Sequence, residues 1–168
     1  MPPPLVSIPR TAVLSWSPSL VPSSDPFLAT GSVSGALDDS FSSDSKLELW
    51  QPFRPPPATD SRPGETATSP DAFNYDQSPV ASVNVSARFN RLAWGSHGVS
   101  TRERPLGVLA AGLENGEVAL WDPDVMLRPD SGHDPLISRY EMHKGPVRGL
   151  DFSSAQSNLL ASGATNGE

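Results

Sequence analysis

The feature that most limits what this chain can fold into is a short pattern written three times. Phe27-Leu28-Ala29-Thr30-Gly31, Val108-Leu109-Ala110-Ala111-Gly112 and Leu159-Leu160-Ala161-Ser162-Gly163 each run leucine, alanine, a small residue, then glycine. Upstream of each stands a leucine followed two residues later by an aromatic: Leu14 and Trp16, Leu92 and Trp94, Leu150 and Phe152. Downstream, Leu47-Glu48-Leu49-Trp50 mirrors Val118-Ala119-Leu120-Trp121. In the middle copy only a few residues around Asn115-Gly116 separate the apolar run from its alternating partner. Both residues tolerate φ > 0, which predicts a two-residue hairpin, and Asp122-Pro123 ends the ladder behind it.

A strand–strand–turn–strand unit repeated in this way is the mark of a repeat architecture, and a Trp-Asp pair closing the hairpin is a β-propeller signature. The expected fold is therefore all-β, a WD-repeat β-propeller. Residues 1–50 supply three inner strands of a first blade, 80–85 its outer strand, 86–142 a second blade and 143–168 the start of a third. The third copy reaches its turn at Thr165-Asn166-Gly167-Glu168. The nine-residue offset from Gly112 to Trp121 places its tryptophan beyond residue 168, so the sequence reads as an incomplete propeller of about two and a half blades. The structural repeat positions are Trp16, Gly31, Trp50, Trp94, Gly112, Trp121, His143, Phe152, Ser162, Gly163 and Asn166. The four tryptophans are expected in the core, each burying ~150–250 Å² between adjacent blades.

Residues 51–79 break the pattern. Prolines at 52, 55–57, 63 and 70 sit among Ser, Thr, Asp and Gly, with little to bury, so a flexible, partly extended linker is expected. It accounts for most of the excess of the 81-residue spacing from Gly31 to Gly112 over the 51 residues from Gly112 to Gly163. Long insertions are tolerated because loop closure costs rise only logarithmically with length. Pro52-Phe53-Arg54-Pro55 matches a PxxP adaptor ligand, Ser69-Pro70 and Ser78-Pro79 read first as turns, and Asn84-Val85-Ser86 reads as a chance sequon.

Composition excludes several functions. The net charge is −7 and the 12 Lys and Arg are scattered, which argues against a nucleic-acid groove. With no Cys there is no disulfide, thiolate zinc site or thiol nucleophile. Asp38, Asp39 and Asp44 lack the spacing of a calcium loop. No phosphate loop, G-x-S-x-G or H-E-x-x-H occurs, so no enzyme and no cofactor or metal is expected. The N-terminus is not a secretory signal and no apolar run approaches the ~20 residues of a membrane span, so a cytoplasmic protein with peripheral membrane contact is expected.

His97 and His133 fall in polar loops and read as solvated. His143 precedes a blade's inner strand, where it can hydrogen-bond Ser162 on the next strand. Ser162 is expected to be tied in turn to Asn166 in the following turn, uncharged where an Asp is usual, and to a tryptophan beyond residue 168.

The segments Ile8–Ala12, Arg88–Gly95, Glu114–Glu117 with Leu120–Pro123, His143–Phe152 and Gln156–Ala164 closely resemble the large WD-repeat subunit of the COPII outer coat. The resemblance covers nearly all of the chain outside about 51–80. It implies the N-terminal part of a seven-bladed propeller in a non-enzymatic subunit of the cage around endoplasmic-reticulum-to-Golgi vesicles. The implied location is the cytosolic face of the endoplasmic reticulum membrane. The implied partners are the small WD-repeat outer-coat subunit, bound through regions outside this chain, and other coat propellers, met through polar loops such as 95–105 and 123–135. The alternative is a WD-repeat adaptor that presents peptide ligands.

Overall fold

The computed structural model describes residues 8, 10–18, 26–32, 45–52, 78–99 and 102–168. Among them lie ten strands, all paired antiparallel. A first four-stranded sheet runs β1 (Ala12–Trp16), β2 (Leu28–Ser32), β3 (Ser45–Trp50), β4 (Ala81–Val85) in sequence order. A second repeats that order with β5 (Phe89–Gly95), β6 (Val108–Leu113), β7 (Glu117–Trp121) and β8 (Leu136–Glu141). The pair β9 (Val147–Phe152) and β10 (Leu160–Ala164) follows. The all-β expectation holds. The Pro-rich residues 53–77, with most of the PxxP match and Ser69-Pro70, and the carboxylates Asp38, Asp39 and Asp44 lie outside the described residues.

The second sheet is the middle layer. Side chains alternate across a strand, so each strand feeds two faces. Leu92, Trp94, Leu109, Ala111, Ala119 and Trp121 join Ala29, Leu47, Leu49, Val85 and Phe89 in one buried cluster toward the first sheet. Ala93, Ala110 and Val118 join Val147 and Leu150 in another on the far side. This is why β6 is an unbroken apolar run, VLAAGL, buried at every position, whereas β8 has the exposure of a half-solvated outer strand.

Glycine sets how closely these layers approach. A Cβ on Gly31 would stand 2.5 Å from the Phe89 ring, and one on Gly112 would stand 2.6 Å from Val147 Cγ1. Phe89 and Val147 both open the first strand of the following unit. The third glycine of the pattern, Gly163, is open, with nothing nearer than 3.9 Å.

Three expectations need correcting. The Asn115-Gly116 turn is not a two-residue hairpin with both residues at positive φ. The loop is Glu114–Gly116, closed by Gly116 N–H donating to Leu113 O at 3.3 Å, and only Gly116 has positive φ, +90°. Asn115 Oδ1 instead accepts from Glu117 N–H at 3.2 Å, a local bond that holds the turn without left-handed backbone at Asn115. Second, Trp16 is not a core residue. It is 48% exposed and Leu14 59%, because both lie on the face of β1 turned away from the second sheet, whereas the matching Leu92 and Trp94 are buried against the first sheet. Third, the polar loop 123–135 contains a short helix, α1 (Pro123–Met126), and a 3₁₀ turn, Pro129–Ser131. Asp122 is the N-cap of α1 and Pro123 follows at the first helical position, a start signal present in the sequence.

Candidate interaction surface

Antiparallel order places the β5–β6 and β7–β8 connections at one end of the second sheet, so the two loops meet there. Arg104 of the first loop lies 3.6 Å from Asp122 of the second through Nε and Oδ2. Asp122 Oδ1 also accepts from the Asp124 and Val125 amides at 3.0 and 3.4 Å. One carboxylate therefore caps the helix and neutralises the neighbouring loop. Arg128 pairs with Asp124 one turn on. Arg102, at φ +60°, holds an exposed side chain on a left-handed backbone, a conformation that costs energy for a residue with a Cβ. Glu103, Pro105, Asp130 and Asp134 are exposed around it. His133 is exposed, with Nδ1 2.9 Å from Ser131 O, while His97 is half-buried and lines a groove.

At the opposite end, turns join successive units. The Gly116 carbonyl accepts from His143 N–H at 3.2 Å, and a Cβ on Gly116 would stand 2.1 Å from His143 O. His143 Nε2 lies 2.9 Å from Ser162 Oγ. Its Nδ1 is buried without a hydrogen-bond partner, 4.0 Å from Glu168 Oε2. The Asn166 side chain, expected beside Ser162, bonds Glu168, and Glu168 Oε2 accepts from Lys144 N–H at 2.8 Å. The Lys144 amide, then Asn166, and more weakly His143 hold the exposed Glu168 carboxyl below the usual carboxylate range. No sequence motif marks Glu168. It takes this place because the turn after β10 folds back on the segment before β9.

The first sheet carries a related arrangement. Trp50 Nε1 donates to Thr30 Oγ1 at 2.8 Å, a buried bond between β3 and β2. Thr30 holds the place that Ser162 holds in β10, whereas Ala111 in β6 has no hydroxyl. Arg10 lies over the Trp50 ring at 5.5 Å and reaches both carboxylate oxygens of Glu48, at 3.0 and 3.4 Å. Glu48 is 3% exposed, a buried charge kept by a cation at the rim. In the second sheet Trp121 packs 6.3 Å from Phe89, centroid to centroid, and Trp94 Nε1 donates to Leu106 O at 2.6 Å.

Two open grooves, of about 190 and 270 Å³, run between the outer half of the second sheet and β10, sharing Tyr140 and Leu160 in their walls. Among the described residues no three His, Cys, Asp or Glu come together to hold a metal, and no helix is long and apolar enough to cross a membrane. What the described residues present is loop surface and stacked antiparallel sheet, an all-β protein of repeated four-stranded units.

The comparisons narrow that class. The protein transport protein SEC31 of Mycosarcoma maydis is 50% identical over 160 residues, which is 95% of this chain and 10% of that protein. SEC31 of Ajellomyces capsulatus is 38% identical over 98% of the chain, and SEC31 homolog B of Arabidopsis thaliana 40% over 92%. Among solved structures, the outer coat vertex of COPII on membranes superposes with a TM-score of 0.59 at 30% identity, covering 95% of this chain and 32% of that one. A structure of the COPII coat assembled on membranes gives the same TM-score and identity over 18% of its matched chain. No protein-family model matches. The chain is a homologue of the SEC31 protein transport proteins and spans about a tenth of their length.

Proposed function

We propose that this chain supplies propeller blades to the outer cage of the COPII coat, on the cytosolic side of vesicles leaving the endoplasmic reticulum for the Golgi. The observation that carries this reading is homology along 95% of the chain, in sequence to a SEC31 protein and in fold to a COPII outer coat vertex. On this reading the two four-stranded sheets are WD-type blades and β9–β10 is the inner half of a third. The work is done by protein–protein contact rather than chemistry. Its partners are the small WD-repeat subunit and neighbouring coat propellers. The loop-bearing end of the second sheet, with Arg102, Glu103, Asp130 and Asp134 exposed, suits contacts between propellers because loops are solvated and free of ladder bonding.

The test is a chimera. The matching tenth of the Mycosarcoma maydis SEC31 is replaced by this chain, and growth and cage assembly on liposomes are measured. Full replacement of function is expected. A chimera that is soluble and folded yet neither supports growth nor assembles cages refutes the proposal.

A further inference from the structure

We infer that Ser78 is a phosphorylation site for a proline-directed serine/threonine kinase, and that the fold shields Ser17, which carries the same Ser-Pro dipeptide. The site belongs to the complete first sheet and is independent of the coat assignment.

Ser17-Pro18 and Ser78-Pro79 lie among the described residues, and Ser69-Pro70 lies outside them. A serine before proline is pushed toward extended backbone, the form in which a kinase cleft takes its substrate. Ser17, directly after β1, is held in the sheet. Its N–H donates to Phe27 O at 2.9 Å, its Oγ accepts from Phe27 N–H at 3.0 Å, and the residue is half-buried. Presenting Ser17 to an enzyme means giving up both bonds. Ser78 differs at each point. It is exposed, neither it nor Pro79 sits in a turn, and among the described residues its hydroxyl has no hydrogen-bond partner. The turn reading of Ser78-Pro79 is therefore not met. The β4 ladder takes hold two residues later, where Val80 N–H donates to Leu49 O at 2.8 Å. Pro79 has no N–H to donate, so Ser78 can swing out without costing a ladder bond.

In the transfer the Ser78 hydroxyl oxygen attacks the γ-phosphorus of ATP. The new O–P bond forms as the bond to the bridging β-phosphate oxygen breaks, ADP leaves, and the hydroxyl proton passes to the kinase's catalytic base. The product carries a charge of about −1.5 to −2. Its position gives that charge an effect. Val80 and Ala81 pack against the same buried cluster as Met126 and Leu127, and α1 packs on β4, so β4 begins beside the loop 123–135. Asp130 and Asp134 are already exposed in that loop. A phosphate on Ser78 deepens the negative charge of this end and turns it against acidic partners.

The probe is a recombinant proline-directed kinase of the mitogen-activated type, incubated with ATP, magnesium and the 168-residue chain, with sites mapped over time by mass spectrometry. Ser78 is expected to be modified, and Ser17 to lag by at least ~10-fold because two hydrogen bonds must open first. Peptides copying residues 11–24 and 72–85 have no sheet to separate them and should be modified at comparable rates. Ser78→Ala should remove the phosphate from that position and leave Ser17 as slow as before. Equal modification of Ser17 and Ser78 in the chain, a Ser78 left untouched while Ser69 is modified, or a 72–85 peptide that the kinase ignores would each overturn the inference.

Discussion

Replacing Gly112 by alanine forces the two inner layers apart by an amount that can be worked out. The new Cβ would lie 2.6 Å from Val147 Cγ1 and 2.9 Å from its Cβ. Ordinary carbon contacts are about 3.5–4.0 Å, so the overlap is about 1 Å. Val147 is fully buried and β-branched, with little rotamer freedom, so it cannot swing aside. Overpacking of this kind costs about 1–3 kcal/mol, and alanine recovers about 0.4–1 kcal/mol by stiffening the unfolded chain. A net loss of about 1–2 kcal/mol is expected, read from urea denaturation followed by tryptophan fluorescence. Val147→Ala removes Cγ1, the nearest obstruction, and leaves Cβ at 2.9 Å, so the double variant should be more stable than the sum of the singles by about 1 kcal/mol. Gly163→Ala is the matched control, because its Cβ meets nothing nearer than 3.9 Å and should be neutral or mildly stabilising. If Gly112→Ala behaves like Gly163→Ala, or the pair adds to within about 0.5 kcal/mol, close sheet approach is not what this glycine provides.

Gly116→Ala should cost more than Gly132→Ala. Both glycines have positive φ, but a Cβ at Gly116 meets the His143 carbonyl at 2.1 Å and one at Gly132 meets nothing within 4 Å. Equal midpoints in urea would show that the backbone conformation alone matters. Thr30→Val leaves the buried Trp50 N–H without its acceptor and should cost about 1–3 kcal/mol, with changed Trp50 side-chain exchange as the direct readout. Arg10→Ala strands the buried Glu48 carboxylate, and Glu48→Gln should recover much of the loss in the double variant; strictly additive losses would mean the pair does not interact. Glu168 has its folded-state pKa lowered, so its ionised contacts contribute at neutral pH and are lost as pH falls through that lowered value. In an NMR titration Asn166→Ala should move the Glu168 carboxyl upward, and an unchanged midpoint would contradict the assigned cause.

Much of this was legible in the residues because the repeat is local chemistry. The pattern Leu-Ala-small-Gly, the flanking aromatics and the turn residues announce strand, strand, turn and strand wherever they recur, and β4 announces itself through its alternation. The sequence also singled out His143 and Ser162, which the structure sets 2.9 Å apart. It could not rank the tryptophans. Trp16 and Trp94 occupy the same place in the pattern, yet one is half exposed and the other buried, because burial depends on which sheet lies opposite and not on the strand itself. Glu48 reads as an ordinary outward charge in LELW until Arg10, 38 residues away, is folded over it. Glu168 likewise came beside the histidine only when the turn after β10 closed on Lys144. Strand periodicity and turn chemistry are properties of neighbours along the chain, so the sequence determined them alone. Which face is covered and which charge is paired depend on neighbours in space, and only the packing of one sheet on the next decided those.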